Sequence, residues 1–281
     1  MTYDFSSLPS VKDGVRAYGL SAKKSLGQNF LFDSNLTDKI ASEAFARYEP
    51  AFKNGTVFEV GSGPGGLTRS LLKLNPKSLI AVEKDERFAE LLAPLQTLCA
   101  DVFHIKNADA MSEKIWEQGD EPRCVVANLP YNVGTPLLVS WLKHAPRFSG
   151  FVLMFQKEVA RRITAAPKTA HYGRLAIFAN WLCDTKIIMN VPKTAFTPPP
   201  KVDSAVVAIT PRAQPLFPAR MELLERVTNA VFSQRRKMLR VSLKQIGDPK
   251  SLCEAAGICE TARPEELPVE AFCALARALE K

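Results

Sequence analysis

The run "CVVANLPYNVG", residues 124–134, starts apolar and then breaks into Asn128, Leu129, Pro130 and Tyr131. A stretch such as Cys124–Ala127 suits a strand of a covered parallel sheet, and such sheets hold ligands just beyond the carboxyl ends of their strands. A side-chain amide, a backbone carbonyl held outward by the following proline, and an aromatic ring therefore stand where chemistry takes place. Together they offer two hydrogen-bond acceptors for a polar group and a stacking face for a flat one.

A second stretch, "VFEVGSGPGGLT", follows an apolar strand pattern and opens a helical one. Gly61, Gly63 and Gly66 let the backbone turn tightly and approach a ligand closely. Glu83 ends the next strand pattern at the distance expected of a ribose partner. This spacing serves a dinucleotide or any other adenosine cofactor and leaves the choice between them open. The sign of charge bears on that choice. Glu59, two residues before Gly61, repels the pyrophosphate of a dinucleotide but attracts the sulfonium and ammonium groups of S-adenosylmethionine. Asp109, which ends "HIKNAD", suits an acceptor for an adenine amine and equally the N-cap of a following helix.

The elements that position these residues read as an alternation. "TVFEV", "SLIAVE", "VFHIKNAD", "CVVAN" and "GFVLMF" are strand patterns separated by helical ones such as "LTRSLLKL" and "ERFAELLAPL". This order predicts an α/β fold, a doubly wound and mostly parallel sheet. "KIIMNV" and "SAVVAIT" are expected to add an antiparallel pair at one edge. Asp33 and Ser34 offer caps to an earlier helix with Leu36, Ile40 and Ala44 on one stripe. Residues 1–24 carry few large apolar groups and read as a mobile arm ending in Lys23 and Lys24. The main domain is placed at 25–210. Pro211, Pro215 and Pro218 punctuate a linker. After it only helical patterns follow, "MELLERVTNAVF", "RRKMLRVSLKQI", "PKSLCEAAG" and "PVEAFCALARAL", so 211–281 is expected to form a small all-α domain.

With 281 residues, 46% of them hydrophobic, the chain can bury a core for both parts. No apolar run approaches the roughly 18 residues that span a bilayer, and the start "MTYDFSSLPSVKDG" lacks the order of a signal peptide. A soluble, cytoplasmic protein without membrane association is expected. The six cysteines and three histidines show no metal-type pairing, so neither a metal nor a disulfide is expected. The net charge is +8, and its distribution is uneven: Lys143–Arg174 holds seven basic residues against one acidic, and Ser233–Lys244 five against none. These windows sum to +11 and leave −3 for the rest of the chain. Segregated positive charge is the footprint of a polyanion partner.

"GQNFL", "EVGSGPGGLT", "VEKD", "NAD", "NLPYN", "QKEVARRI", "YGRL" and "AFTPPPKVDSAVV" together resemble the ribosomal RNA adenine dimethyltransferase family, in its bacterial small-subunit branch. The resemblance is strong from Lys23 to Thr210 and looser in the C-terminal helices. It implies a class I methyltransferase fold, Rossmann-like, with S-adenosylmethionine as donor and adenines of small-subunit rRNA, within a pre-assembled ribosomal subunit, as acceptors. Matched motif by motif, it places cofactor contacts at Asn29, Leu31, Gly61, Glu83, Asp109 and Asn128, beside Glu59 and Gly63 from the reading above. The loop "GSGPGG" departs from the shorter "GPG" turn of many members.

The break at Asn128 agrees with that chemistry. The exocyclic amine of adenine is a poor nucleophile because its lone pair is delocalised into the ring. The Asn128 side-chain oxygen and the Leu129 carbonyl can hold both amine hydrogens and direct the lone pair at a methyl group, with no covalent intermediate. Tyr131, its hydroxyl read as incidental, is expected to stack on a base taken out of its own stack, with Phe196 of "AFTPPP" on the other face. A packed connector is the alternative for Phe196. Arg236, Arg240 and Lys244, at four-residue spacing, are expected on one helical face for RNA phosphates, extended by Arg235 and Lys237. In "QKEVARRI", Glu158 can pair with Arg162, which leaves Lys157 and Arg161 for RNA. A monomer is expected. Competing readings are a large-subunit adenine methyltransferase of the antibiotic-resistance kind, a subunit assembly factor with secondary methylation, and a dinucleotide dehydrogenase. The last lacks an acid or base for hydride chemistry near "NLPY".

Overall fold

A computed structural model describes residues 3–22 and 27–280; the Lys23–Lys24 pair lies outside the described residues. In chain order the helices and strands are α1 (Val11–Ala17), β1 (Phe30–Leu31), α2 (Ser34–Asn54), β2 (Thr56–Val60), α3 (Gly66–Leu72), β3 (Leu79–Glu83), α4 (Glu86–Leu98), β4 (Phe103–Asn107), β5 (Arg123–Asn128), α5 (Gly134–Leu142), β6 (Gly150–Gln156), α6 (Lys157–Ile163), α7 (Arg174–Leu182), β7 (Cys183–Val191), β8 (Phe196–Thr197), β9 (Ser204–Pro211), α8 (Met221–Ser233), α9 (Leu239–Ser242), α10 (Pro249–Ala256) and α11 (Val269–Ala278).

Seven strands form one sheet in the order β4-β3-β2-β5-β6-β9-β7. β2 is parallel to both β3 and β5, β3 to β4 and β5 to β6, while β9 runs antiparallel to β6. The chain winds outward from β2 to β4, then returns to β2's other side at β5. The strand order therefore reverses beside β2, where an open α/β sheet leaves a crevice at its carboxyl edge. Apolar runs buried on both faces fill the interior: all five residues of β2 are buried. The edge expected from "KIIMNV" and "SAVVAIT" is present as β7 and β9, with β9 antiparallel to β6. A second, two-stranded sheet pairs Phe30 with Thr197 and Leu31 with Phe196. Nothing in the sequence reading anticipated it, because two residues per strand carry no periodicity.

Two compact units result: residues up to Ala160 with Lys186–Pro211, and Arg161–Thr185 with the residues from Arg212 onward. The expected division at residue 210 therefore differs in one respect: Arg161–Thr185 groups with the C-terminal helices. Its α7 buries Ile177, Trp181 and their neighbours. Trp181 Nε1 donates to Phe217 O at 2.7 Å, and the rings of Tyr172, Phe232 and Phe272 follow one another at 6.4 and 5.7 Å.

The segment read as an arm holds α1, capped by Ser10 Oγ accepting from Asp13 N at 3.1 Å, with Gly14 and Val15 buried. Phe5 and Leu8 pack on the core of the first unit. The few apolar residues of this stretch thus find a surface. α2 starts at its expected cap, with Asp33 Oδ1 accepting from Asn35 N at 2.9 Å. It bends at Tyr48, two residues before Pro50. Among the described residues no helix is long and apolar enough to cross a membrane.

Candidate active site

One pocket at the strand-order reversal is lined by Asn29, Leu31, Glu59, Gly61, Ser62, Gly63, Glu83, Asp109, Asn128, Leu129 and Tyr131, among others. Glu59, Glu83 and Asn128 meet because β2, β3 and β5 end side by side. β4 carries Asp109 to the same edge two residues beyond its last residue.

The loop after β2 is shaped by backbone conformation. Gly61, Gly63 and Gly65 have φ of +73°, +49° and +86°, values that favour glycine. Gly66 serves differently. Its φ is not positive, but a Cβ there would lie 2.7 Å from Leu31 O, so the absent side chain lets "GQNFL" close onto the loop. Gly65, which the sequence reading passed over, is the N-cap of α3. The doubled glycine of "PGGL" was its signal.

Of the acids that line the pocket, Glu59, Glu83 and Asp109 are each held in a different way. Glu59 is 1% exposed and accepts a hydrogen bond from Thr68 Oγ1 at 2.6 Å. Burial, with Glu83 nearby, pushes its pKa up to about 8. Burial thus favours the neutral form of the carboxyl that was expected to meet a cation as a standing negative charge, and a cation favours its ionised form. Glu83 is 6% exposed. Its Oε2 accepts from Gly63 N and its Oε1 from Asp85 N, both at 2.8 Å. Burial raises its pKa despite those bonds. It therefore fixes the glycine loop. Asp109 caps a turn and not a helix, since no helix follows it directly. It lines the pocket, and its Oδ1 accepts from Met111 N at 2.9 Å, closing a turn. Its Oδ2 accepts from Lys84 Nζ at 2.7 Å, and this bond holds its carboxyl below the usual range.

Asn128 ends β5 and donates from Nδ2 to Asn29 O at 3.2 Å. That bond fixes the amide's orientation, and among the described residues Oδ1 has no partner. Asn29 is itself tied back, Nδ2 to Gly27 O at 3.2 Å. The Asn29 backbone, more than its side chain, thus serves the site. The Leu129 side chain is buried at 2% exposure. Pro130 O accepts from Val133 N and Gly134 N, turning the chain into α5. The Tyr131 hydroxyl is not incidental, for it lies 2.6 Å from Ser204 Oγ.

Phe196 departs from its expected place. It is 3% exposed, belongs to the hydrophobic core and pairs with Leu31 across the small sheet. In this conformation its ring has no face to offer a base, and the packed-connector alternative describes it. Leu31, at 5% exposure, joins the same core while lining the pocket.

The basic residues are distributed otherwise than expected. "RRKMLRVSLKQI" is not one helix. α8 ends at Ser233, Lys237 N closes a turn on Gln234 O, and the amides of Leu239 and Arg240 donate to Ala262 O and Glu260 O instead of to carbonyls one turn earlier. Arg236 therefore stands in a turn, Arg240 in α9 and Lys244 in a short 3-10 segment, all three exposed. Arg235, expected to extend the positive surface, is engaged: it pairs with Glu265 at 3.0 Å and donates to Ala170 O and Thr169 O. Its acidic partner was invisible to a local charge count. Lys157 and Arg161 lie on α6, the first half-buried and the second exposed.

Comparison with known proteins gives this geometry a lineage. The ribosomal RNA adenine dimethylase family model matches residues 19–281. The ribosomal RNA small subunit methyltransferase A of Rhodospirillum rubrum is 52% identical over 97% of this chain and 93% of its own length. The protein of the same name from Paramagnetospirillum magneticum is 50% identical over 98% and 96%. Among solved structures, a dimethyladenosine transferase from Plasmodium falciparum superposes with a TM-score of 0.75 at 25% identity, covering 88% of this chain and 95% of that one. The 23S rRNA methyltransferase ErmE gives 0.66 at 27% identity over 90% and 100%. A match that takes in the glycine loop, the acids behind it and the Asn128 turn at once reaches every wall of the pocket, and the chain belongs to the ribosomal RNA adenine dimethylase family.

Proposed function

We propose that this protein methylates the exocyclic amines of two adjacent adenines in small-subunit rRNA, giving N6-dimethyladenosines, and that it acts as a monomer on a pre-assembled subunit. S-adenosylmethionine, when bound, supplies the electrophilic methyl group. The pocket suits that donor. Ser62 Oγ is buried in its wall with no hydrogen-bond partner among the described residues, a vacancy that a polar ligand group relieves. Glu59 is the residue to hold a cationic group, Glu83 a ribose and Asp109 an adenine amine.

The observation that carries the reading is Asn128, anchored through its amine end to Asn29 O, its oxygen without a partner among the described residues. Asn128 Oδ1 and Leu129 O accept the two hydrogens of the target amine and set its lone pair toward the pocket. Tyr131 supplies the stacking face. The proton leaves after attack, so no strong base is needed, and the neutral amide suffices. The small-subunit reading is favoured over the large-subunit one by the relatives at 52% and 50% identity, both named small subunit methyltransferases. Arg236, Arg240 and Lys244, with Lys157 and Arg161, are the residues assigned to rRNA phosphates.

Incubation with labelled S-adenosylmethionine and undermethylated small or large subunits, followed by digestion to nucleosides, tests this. Dimethyladenosine from small subunits alone is expected. Label in large subunits, or none in either, overturns it.

A further inference from the structure

The phenol of Tyr131 reaches from the pocket wall to the first residue of a strand. Its oxygen lies 2.6 Å from Ser204 Oγ. Ser204 is fully buried, and its backbone is registered against Gln156 in the β6–β9 pair. The residue before it is pinned twice. Asp203 O accepts from Lys157 N at 2.9 Å, and Asp203 Oδ1 accepts from Lys193 N at 3.0 Å. Ser204 is therefore a fixed point of the sheet. Tyr131, by contrast, sits half-buried on a loop, where the two torsions of its side chain leave the ring free to tilt unless something holds its far end.

We propose that Ser204 is a positioning residue for methyl transfer, whose hydroxyl fixes the plane of the Tyr131 ring before the target adenine arrives. The inference rests on the reading of Tyr131 as the stacking surface. A stack passes orientation on, because the base lies parallel to the ring. Any tilt of the ring therefore displaces the amine that Asn128 and Leu129 must hold, and a misplacement near 1 Å costs up to about a hundredfold in rate. The bond also accounts for the residue type: phenylalanine stacks as well, but only a para oxygen reaches Ser204. Since the bond touches neither cofactor nor base, its loss acts on turnover and not on binding.

The test is steady-state methylation of undermethylated small subunits by Ser204→Ala, Tyr131→Phe, the double variant and Tyr131→Ala, with cofactor affinity followed by calorimetry. Ser204→Ala and Tyr131→Phe are each expected to lower kcat about three- to tenfold, the effect of one ordinary hydrogen bond. KM for the subunit and cofactor affinity should stay unchanged. The double variant should fall no lower than the weaker single, since both remove one bond. Losses that multiply, or wild-type kcat in Ser204→Ala, overturn the proposal. If Tyr131→Ala is inactive while Ser204→Ala is normal, the stacking reading stands and only the role of Ser204 is lost. Wild-type kcat in Tyr131→Ala removes both. Should Ser204→Ala not fold, Tyr131→Phe breaks the same bond from the half-exposed side, and its kcat alone decides.

Discussion

Asn128 is held at one end and open at the other, and a neutral amide can do its work only in that state. Asn128→Ala should lower turnover by about a hundredfold or more, the usual cost of an oriented polar group, with cofactor affinity largely kept; near-normal turnover would remove the mechanism. Glu59 makes a separate prediction through its proton. Its pKa in the folded protein, about 8, exceeds the ordinary 4.5. Between those values the folded chain retains a proton that the unfolded chain has released. Its contribution to stability is therefore greatest below pH 4.5 and is lost progressively as pH rises toward 8. Denaturant unfolding of the cofactor-free protein across pH 5–9 should show this decline, and Glu59→Gln should flatten it. A cationic ligand reverses the preference, so binding of S-adenosylmethionine near pH 7 should release a proton in the wild type and not in Glu59→Gln. Calorimetry in two buffers of different ionisation enthalpy reads that proton directly, and equal heats would mean that Glu59 does not face the cation.

The glycine loop and the small β1–β8 sheet behave as one element, and the glycines within it are not equivalent. Gly63 needs its left-handed backbone, but a Cβ there meets only Phe30 at 3.7 Å, an ordinary contact, so Gly63→Ala should cost about 1 kcal/mol. Gly66 has no such conformation, yet a Cβ there meets the Leu31 backbone at 2.7 Å. Leu31 cannot give way freely, being paired with Phe196. Gly66→Ala should therefore be the more destabilising in denaturant unfolding, the reverse of what φ alone suggests. This element also marks where sequence reading stops. β2, β3, β5, β6 and β9 are apolar runs long enough to declare themselves, and they place Glu59, Glu83 and Asn128 on one edge. The β1–β8 pairing is a long-range contact of two residues a side, so the burial of Phe196 left no local trace. The bond between Tyr131 and Ser204 was hidden for the same reason. In "RRKMLRVSLKQI" the helical pattern was present but lost to tertiary hydrogen bonds, with the carbonyls of Glu260 and Ala262 claiming the amides that a continuous helix needs.

At the scale of the whole molecule, charge is the property that sequence and structure read differently. The window Ser233–Lys244 holds five basic residues and no acid, which suggests one continuous positive stripe. In the folded chain Arg235 is withdrawn from it by Glu265 and two backbone carbonyls, while Arg236, Arg240 and Lys244 remain exposed. The two groups should therefore answer different experiments. Arg235→Ala removes an ion pair and carbonyl contacts that join Ala170 and Glu265 to the end of α8, and it should lower the melting temperature. The triple variant Arg236→Ala/Arg240→Ala/Lys244→Ala removes exposed charge and should leave melting and cofactor affinity unchanged. If those three meet rRNA phosphates, their loss should weaken subunit binding and flatten its salt dependence, by up to roughly one unit of the log-log slope per contact. Filter-binding titrations across salt, wild type against triple variant, read that slope. Equal slopes would place the phosphate contacts elsewhere and direct the next substitutions to Lys143–Arg174, whose seven basic residues face a single acid in sequence.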